Sequence, residues 1–183
     1  MQSLLLGYPD DRYFRNIGLV ERVVGTLDSP VGAPLGVFLR NIRQMAPGAL
    51  AAEYVSTFDQ RKRCCLYLTY YAYGDTRKRG MALLNLKQTY AAKGQHLSDE
   101  ELPDHLAVIL EFAAAEPESG RRLLQDHRAG LELLRLALKE SSSPWASVLE
   151  SISATLPPLK GDEHTAIARL AAAGPPAEEV GYQ

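Results

Sequence analysis

The chain has 183 residues, 46% of them hydrophobic and 23% charged, with a net charge of −2. That length supports a full hydrophobic core without disulfides or metals, and that charge leaves no whole-chain field to favour nucleic acid or an anionic membrane. The only two cysteines, Cys64 and Cys65, are adjacent, a poor pair for a disulfide, which points to a reducing compartment or indifference to redox.

The first apolar run, Leu4-Leu5-Leu6, is stopped by Gly7-Tyr8-Pro9-Asp10, far short of a signal-peptide core. No stretch approaches the roughly 18 apolar residues of a membrane span, so a cytoplasmic protein without direct membrane insertion is expected. Pro9-Asp10-Asp11 supplies turn and capping residues ahead of Tyr13, Phe14, Ile17, Val20 and Val24. Their spacing predicts a helix over about 10–27. Ser, Pro and Gly make 28–34 a loop. Leu35, Phe38, Leu39 and Ile42 mark a second helix, and Leu50, Tyr54 and Phe58 a third. The pattern lapses at Asp59-Gln60-Arg61-Lys62, where a break is expected.

The stretch 64–80 reads Cys-Cys-Leu-Tyr-Leu-Thr-Tyr-Tyr-Ala-Tyr-Gly-Asp-Thr-Arg-Lys-Arg-Gly. As a fourth helix stopped by Gly74, its first ten residues are apolar nearly all round, whereas an ordinary helix keeps one wet face. It must be covered on most sides, by its own protein or by a partner. One reading puts the tyrosines in the core. The other makes Tyr67, Tyr70 and Tyr71 the wall of a groove for the apolar face of a partner helix. Arg61, Lys62 and Arg63 precede the block, and Arg77, Lys78 and Arg79 follow it. The second triplet falls in the first turn of a helix, where the dipole disfavours cations. It is either a solvated basic turn or, with Arg61 and Arg63, a cationic rim.

The next helix carries Met81, Leu84, Leu86 and Tyr90 and ends at Gly94. Ser98-Asp99-Glu100-Glu101 reads as a capping box, opening a helix with Pro103 just past its first turn and Leu102, Leu106, Ile109, Leu110 and Ala113 on its core face. Pro117 closes it. A seventh helix carries Leu123, Leu124, His127, Leu131, Leu134 and Leu138. Ser143-Pro144 starts another, with Trp145, Val148, Leu149 and Ile152, and a short helix follows over about 164–173. No alternating strand pattern occurs. The expectation is all-α, one domain over 1–174 built as a bundle of about eight or nine helices, with a disordered tail at 175–183.

Catalytic signatures are missing. The sequence has no Gly-x-Ser-x-Gly elbow, no phosphate-cradling glycine loop and no His-Glu-x-x-His helix. Adjacent cysteines on a helix diverge, so no metal site is expected and no cofactor is called for. Asp104-His105 is the one acid–imidazole pair that stands out, but neighbours on a helix point about 100° apart. A hydrolase built on it would need a nucleophile or metal that the sequence does not show. A nucleic-acid or regulatory binding module using the two basic triplets is the alternative to a protein-binding groove.

Four segments then carry a resemblance: Leu4-Leu5-Leu6-Gly7-Tyr8-Pro9-Asp10, Tyr54-Val55-Ser56-Thr57-Phe58-Asp59, the block 64–80, and Glu101-Leu102-Pro103-Asp104-His105-Leu106. In this order they resemble the nitrate reductase assembly chaperones of the NarJ type, within the TorD/DmsD group of redox-enzyme maturation proteins. The resemblance covers roughly residues 4–115. It implies a TorD-like, cytoplasmic, all-helical chaperone that is not an enzyme and binds no nucleic acid. Such a chaperone binds the N-terminal segment of the nitrate reductase catalytic (alpha) subunit. It assists molybdenum cofactor insertion before membrane docking, with cofactor delivery proteins as further partners. The resemblance also places the peptide site at Glu101, Pro103, Asp104, His105 and Leu106, with Tyr67, Tyr70 and Tyr71 as the aromatic wall. Asp104 would hold a basic peptide residue. From 121 onward only generic helical pattern remains.

Overall fold

Eleven α-helices make up most of the described residues of a computed structural model, which covers residues 1–98 and 101–174. In chain order they are α1 (Gln2–Leu5), α2 (Asp11–Val24), α3 (Ser29–Ile42), α4 (Pro47–Tyr54), α5 (Leu68–Tyr73), α6 (Arg77–Ala91), α7 (Leu106–Ala115), α8 (Pro117–Asp126), α9 (Arg128–Glu140), α10 (Ala146–Ala154) and α11 (Gly161–Ala173). A π-turn at Val55–Asp59 extends α4, and a 3-10 turn follows at Lys62–Cys64. The all-α expectation holds, with more and shorter helices than the eight or nine that periodicity predicts. The chain packs as two units: Met1–Cys65 with Leu134–Pro157, and Leu66–Leu133 with the segment from Pro158 onward.

The first unit is built around Trp145, which is fully buried. The rings of Phe58, Tyr54 and Phe38 surround it with centroids 5.3, 5.6 and 6.0 Å away. Its indole N–H donates to the Leu5 carbonyl at 3.0 Å, and the Tyr54 hydroxyl donates to the Leu6 carbonyl at 3.0 Å. These two bonds pin the Leu4-Leu5-Leu6 run as α1, a helix too short for periodicity to reveal. Asp10 caps α2 as expected, its carboxylate accepting from the Tyr13 N–H at 2.8 Å. The predicted loop at 28–34 is instead the start of α3. Pro30 lies in the first turn, where its missing N–H costs nothing, and Pro34 is accommodated inside the helix. The break predicted at 59–62 is present, as the π-turn followed by the 3-10 turn.

In the second unit α8 lies close on α7: a Cβ at Gly120 would fall 2.3 Å from that of Ala113. The predicted seventh helix is two helices, α8 and α9, separated at His127. The His127 backbone leaves helical geometry there, and its Nδ1 lies 2.9 Å from the Leu123 carbonyl. The predicted capping box does not open α7, which begins at Leu106 with His105 as its N-cap. Asp99 and Glu100 of that box, and the tail at 175–183, lie outside the described residues.

Candidate functional site

The tyrosine block is not one helix. Cys64 closes the 3-10 turn, Tyr67 is extended, and α5 begins only at Leu68. The extended residues pair with the segment ahead of α7. The Leu106 N–H donates to the Leu66 carbonyl at 2.8 Å, and the Leu68 N–H donates to the Asp104 carbonyl at 3.0 Å. Tyr67 and His105 thereby face each other across an antiparallel bridge. This pairing resolves the excess of apolar surface. Alternate residues of a strand point to opposite sides, so Leu66 and Leu68 are buried while Tyr67 between them is 36% exposed.

The Pro-Asp-His segment is fixed from below by Tyr90. Its hydroxyl donates to the Pro103 carbonyl at 2.7 Å, and its ring lies 4.6 Å from that of Phe112. Burial pushes the Tyr90 phenol well above the usual tyrosine range, so it remains a donor at any physiological pH.

Asp104 is completely buried. Its Oδ2 accepts from the Thr69 hydroxyl and lies 3.4 Å from the Arg79 Nη2. Its Oδ1 has no hydrogen-bond partner. Arg79 also donates through Nε to the Thr69 hydroxyl at 3.3 Å and reaches the Asp75 carboxylate at 3.4 Å. Above and beside these polar contacts its guanidinium lies 5.6 Å from the centre of the Tyr67 ring and 6.0 Å from that of Tyr70, within cation–π range. The cation in the first turn of α6 is thus explained: a buried carboxylate and two aromatic rings offset an unfavourable helix dipole.

His105 stands next to this cluster, its ring 5.3 Å from that of Tyr67 and inclined at 73°. Its Nδ1 accepts from the Ala107 N–H at 3.3 Å, which places the proton of the neutral ring on Nε2. Burial lowers its pKa below the ordinary histidine value, against the opposing pull of Glu101, Asp104 and Glu111.

The structure divides the residues expected at a peptide site. Tyr67, half-buried Tyr70 and half-buried His105 share one locus with Arg79. Tyr71 is in the core, where a Cβ at Gly130 would come within 3.2 Å of its own Cβ. Pro103 and Leu106 are buried and Glu101 is exposed. Asp104 and His105 are not neighbours on a helix but the last two residues before one. The cation that lies on Asp104 in this structure is the protein's own Arg79. Thr69 and Tyr90 belong to the site although sequence reasoning passed them over. Thr69 is the one polar residue in the run from Leu66 to Ala72 apart from the tyrosines, and that isolation was its signal.

Of the second basic triplet, Arg77 and Lys78 are exposed while Arg79 is turned onto Asp104, which weakens it as a nucleic-acid surface. Arg61, Lys62 and Arg63 belong to the first unit and line, with Cys64, Glu140 and Ser141, a cavity of about 390 Å³. Among the described residues no helix is long and apolar enough to cross a membrane. Nor is any group of three or more His, Cys, Asp or Glu residues among them placed to hold a metal.

A model of the family described as "Nitrate reductase delta subunit" matches residues 25–150. The chain is 40% identical over 154 residues to the "Nitrate reductase-like protein NarX" of Mycobacterium tuberculosis, a match covering 84% of this chain and 23% of that protein. It is 33% identical over 156 residues to the "Probable nitrate reductase molybdenum cofactor assembly chaperone NarJ" of Bacillus subtilis, covering 84% of this chain and 85% of that one. Against the "Nitrate reductase molybdenum cofactor assembly chaperone NarJ" of Escherichia coli it is 32% identical over 152 residues, covering 81% and 64%.

Proposed function

The chain belongs to the nitrate reductase delta subunit family, and from that membership we propose that it is a molybdenum cofactor assembly chaperone for a nitrate reductase rather than a catalyst. It binds the N-terminal segment of the catalytic subunit and holds that subunit open to cofactor insertion, in concert with cofactor delivery proteins in the cytoplasm. The carrying observation is the locus formed by Tyr67, Tyr70, His105 and Arg79. Two tyrosines at least partly open to solvent are backed by a strand-like bridge and a buried polar cluster, so they do not collapse into the core. Such side chains offer a large apolar face with a polar tip at low entropic cost, which suits capture of an amphipathic helix.

Titration calorimetry with a peptide copying the N-terminal segment of the partner reductase's catalytic subunit tests this reading. Binding is expected in the micromolar range or tighter, and Tyr67→Ala is expected to weaken it about tenfold or more. Unchanged affinity in the double variant Tyr67→Ala with Tyr70→Ala, with helicity intact by circular dichroism, would sink the site assignment. No binding by the wild-type chain would sink the proposed partner.

A further inference from the structure

We propose that Arg79 is a resident occupant of a cation cage, and that the partner segment docks by placing a basic side chain of its own where the Arg79 guanidinium now lies. The proposal rests on the chaperone reading for the identity of the partner, and on the cage alone for its chemistry.

Three observations carry it. The cage is built for a cation: two tyrosine rings lie 5.6 and 6.0 Å from the guanidinium carbon, and Asp104 beneath them is completely buried. The resident fits it loosely. Arg79 approaches only one carboxylate oxygen, at 3.4 Å, where a well-formed charge-assisted bond is about 2.7–2.9 Å. Asp104 Oδ1 has no donor at all, although a guanidinium can bridge both oxygens of a carboxylate.

The third observation is that Arg79 has somewhere else to go. The exposed carboxylate of Asp75 lies one turn earlier, already 3.4 Å from Nη1. Swinging out from under the tyrosines would leave Arg79 paired with Asp75 in water and relieve its position at the N-terminus of α6. The vacated space presents two aromatic faces above a buried carboxylate with an open acceptor. An arginine or lysine on an otherwise apolar peptide would complete both, with its apolar neighbours covering the exposed part of Tyr67.

Such a cage has two consequences. Apparent affinity is reduced by the fraction of molecules in which Arg79 fills the cage, so the empty protein is protected from binding loosely basic chains. Removal of the resident should therefore strengthen binding, whereas it should weaken binding if Arg79 contacts the partner directly.

The experiment titrates full-length wild type, Arg79→Ala and Asp104→Asn with two probes. One is the N-terminal catalytic-subunit peptide, used natively and with each Lys or Arg changed in turn to Gln. The other is N-acetyl-arginine amide, followed through the tyrosine ring signals by NMR. In Arg79→Ala the peptide is expected to bind about fivefold to tenfold more tightly than in wild type. One basic-to-Gln peptide should lose that gain, and the arginine probe should shift the Tyr67 and Tyr70 ring signals. Asp104→Asn should show neither effect. Peptide binding to Arg79→Ala that is equal to or weaker than wild type, or ring signals indifferent to the arginine probe, overturns the cage. Peptide binding absent from every variant overturns the chaperone partner, while the arginine probe still decides the cage. Should Arg79→Ala not fold, Arg79→Ser likewise vacates the cage while keeping a short polar side chain in the first turn of α6, and its results are read the same way.

Discussion

Thr69 and Asp104 are joined by a buried side-chain hydrogen bond although they lie 35 residues apart in the chain. One donates from the first turn of α5 and the other accepts from the turn ahead of α7, so this bond adds to the two backbone bonds of the bridge in tying both halves of the aromatic locus together. It also supplies one of the two donors on a carboxylate that has lost all contact with water. Burying such a charge is tolerable only when it is hydrogen-bonded.

Trp145 should dominate the stability of the first unit. Trp145→Ala removes the ring that Phe38, Tyr54 and Phe58 pack against and is expected to cost about 3–5 kcal/mol. Trp145→Phe keeps an aromatic ring but leaves the Leu5 carbonyl without its donor, for a loss of about 1–3 kcal/mol. Urea denaturation followed by circular dichroism measures both, because the chain has no other tryptophan. A loss below about 1 kcal/mol in Trp145→Ala would contradict the central role of this side chain.

Two glycines should respond oppositely to alanine. At Gly120 the new Cβ would sit 2.2 Å from the Ala113 Cα, a backbone clash that no rotamer relieves. Gly120→Ala is expected to cost about 3 kcal/mol or more. Gly18 lies within α2 with nothing inside 4 Å of its would-be Cβ, so Gly18→Ala should stabilise by about 0.5–1 kcal/mol. Thermal melts of the pair give the comparison.

His105 should make stability fall on mild acidification. Its folded pKa lies below the unfolded value of 6.5, chiefly through burial, so the unfolded chain binds more protons between those two values. The contribution is therefore complete above about pH 6.5 and is lost as pH drops through the folded value. Protonation also puts a hydrogen on Nδ1, the atom that now accepts from Ala107. Melting temperatures from about pH 7.5 downward should decline less steeply in His105→Asn, which keeps a good N-cap residue without a titrating ring. Parallel declines in the two proteins would contradict the assignment.

The adjacent cysteines should react unequally. Cys64 is 2% exposed and its thiol is pushed up by burial, with the nearby Arg61 charge opposing that rise. Cys65 is half-buried. Iodoacetamide on the native protein is expected to modify Cys65 first, with the preference disappearing in denaturant. Peptide mapping at short reaction times shows which thiol is carried into the adduct.

Most helices were legible because their apolar residues recur at three and four with caps and breakers at the ends, as at Asp10, Gly74 and Pro117. Failures arose where a local signal had a second meaning. Pro30 and Pro34 read as loop residues, yet a proline in a first turn is also a helix start. Cys64 to Tyr73 read as one helix because Leu66, Leu68 and the tyrosines satisfy a helical pattern as readily as an alternating one over so few residues. The capping box at 98–101 met the composition rule, but Pro103 and Asp104 form a turn, and the pairing with Leu66 to Leu68 delays the start of α7 to Leu106. The candidate site, taken as the locus around Tyr67 and Arg79, was half legible. Tyr67, Tyr70 and the Pro-Asp-His segment announced themselves, whereas Thr69 and Tyr90 act through bonds to residues distant in sequence that no spacing rule can register.

The bridge between Tyr67 and His105 has a consequence in time. During synthesis the apolar stretch leaves the ribosome well before the segment that covers Leu66 and Leu68. At roughly 5–20 residues per second that interval lasts about two to eight seconds, far longer than the microseconds in which a short hairpin closes. The nascent chain thus carries an unshielded greasy strand before the segment that pairs with it has been made.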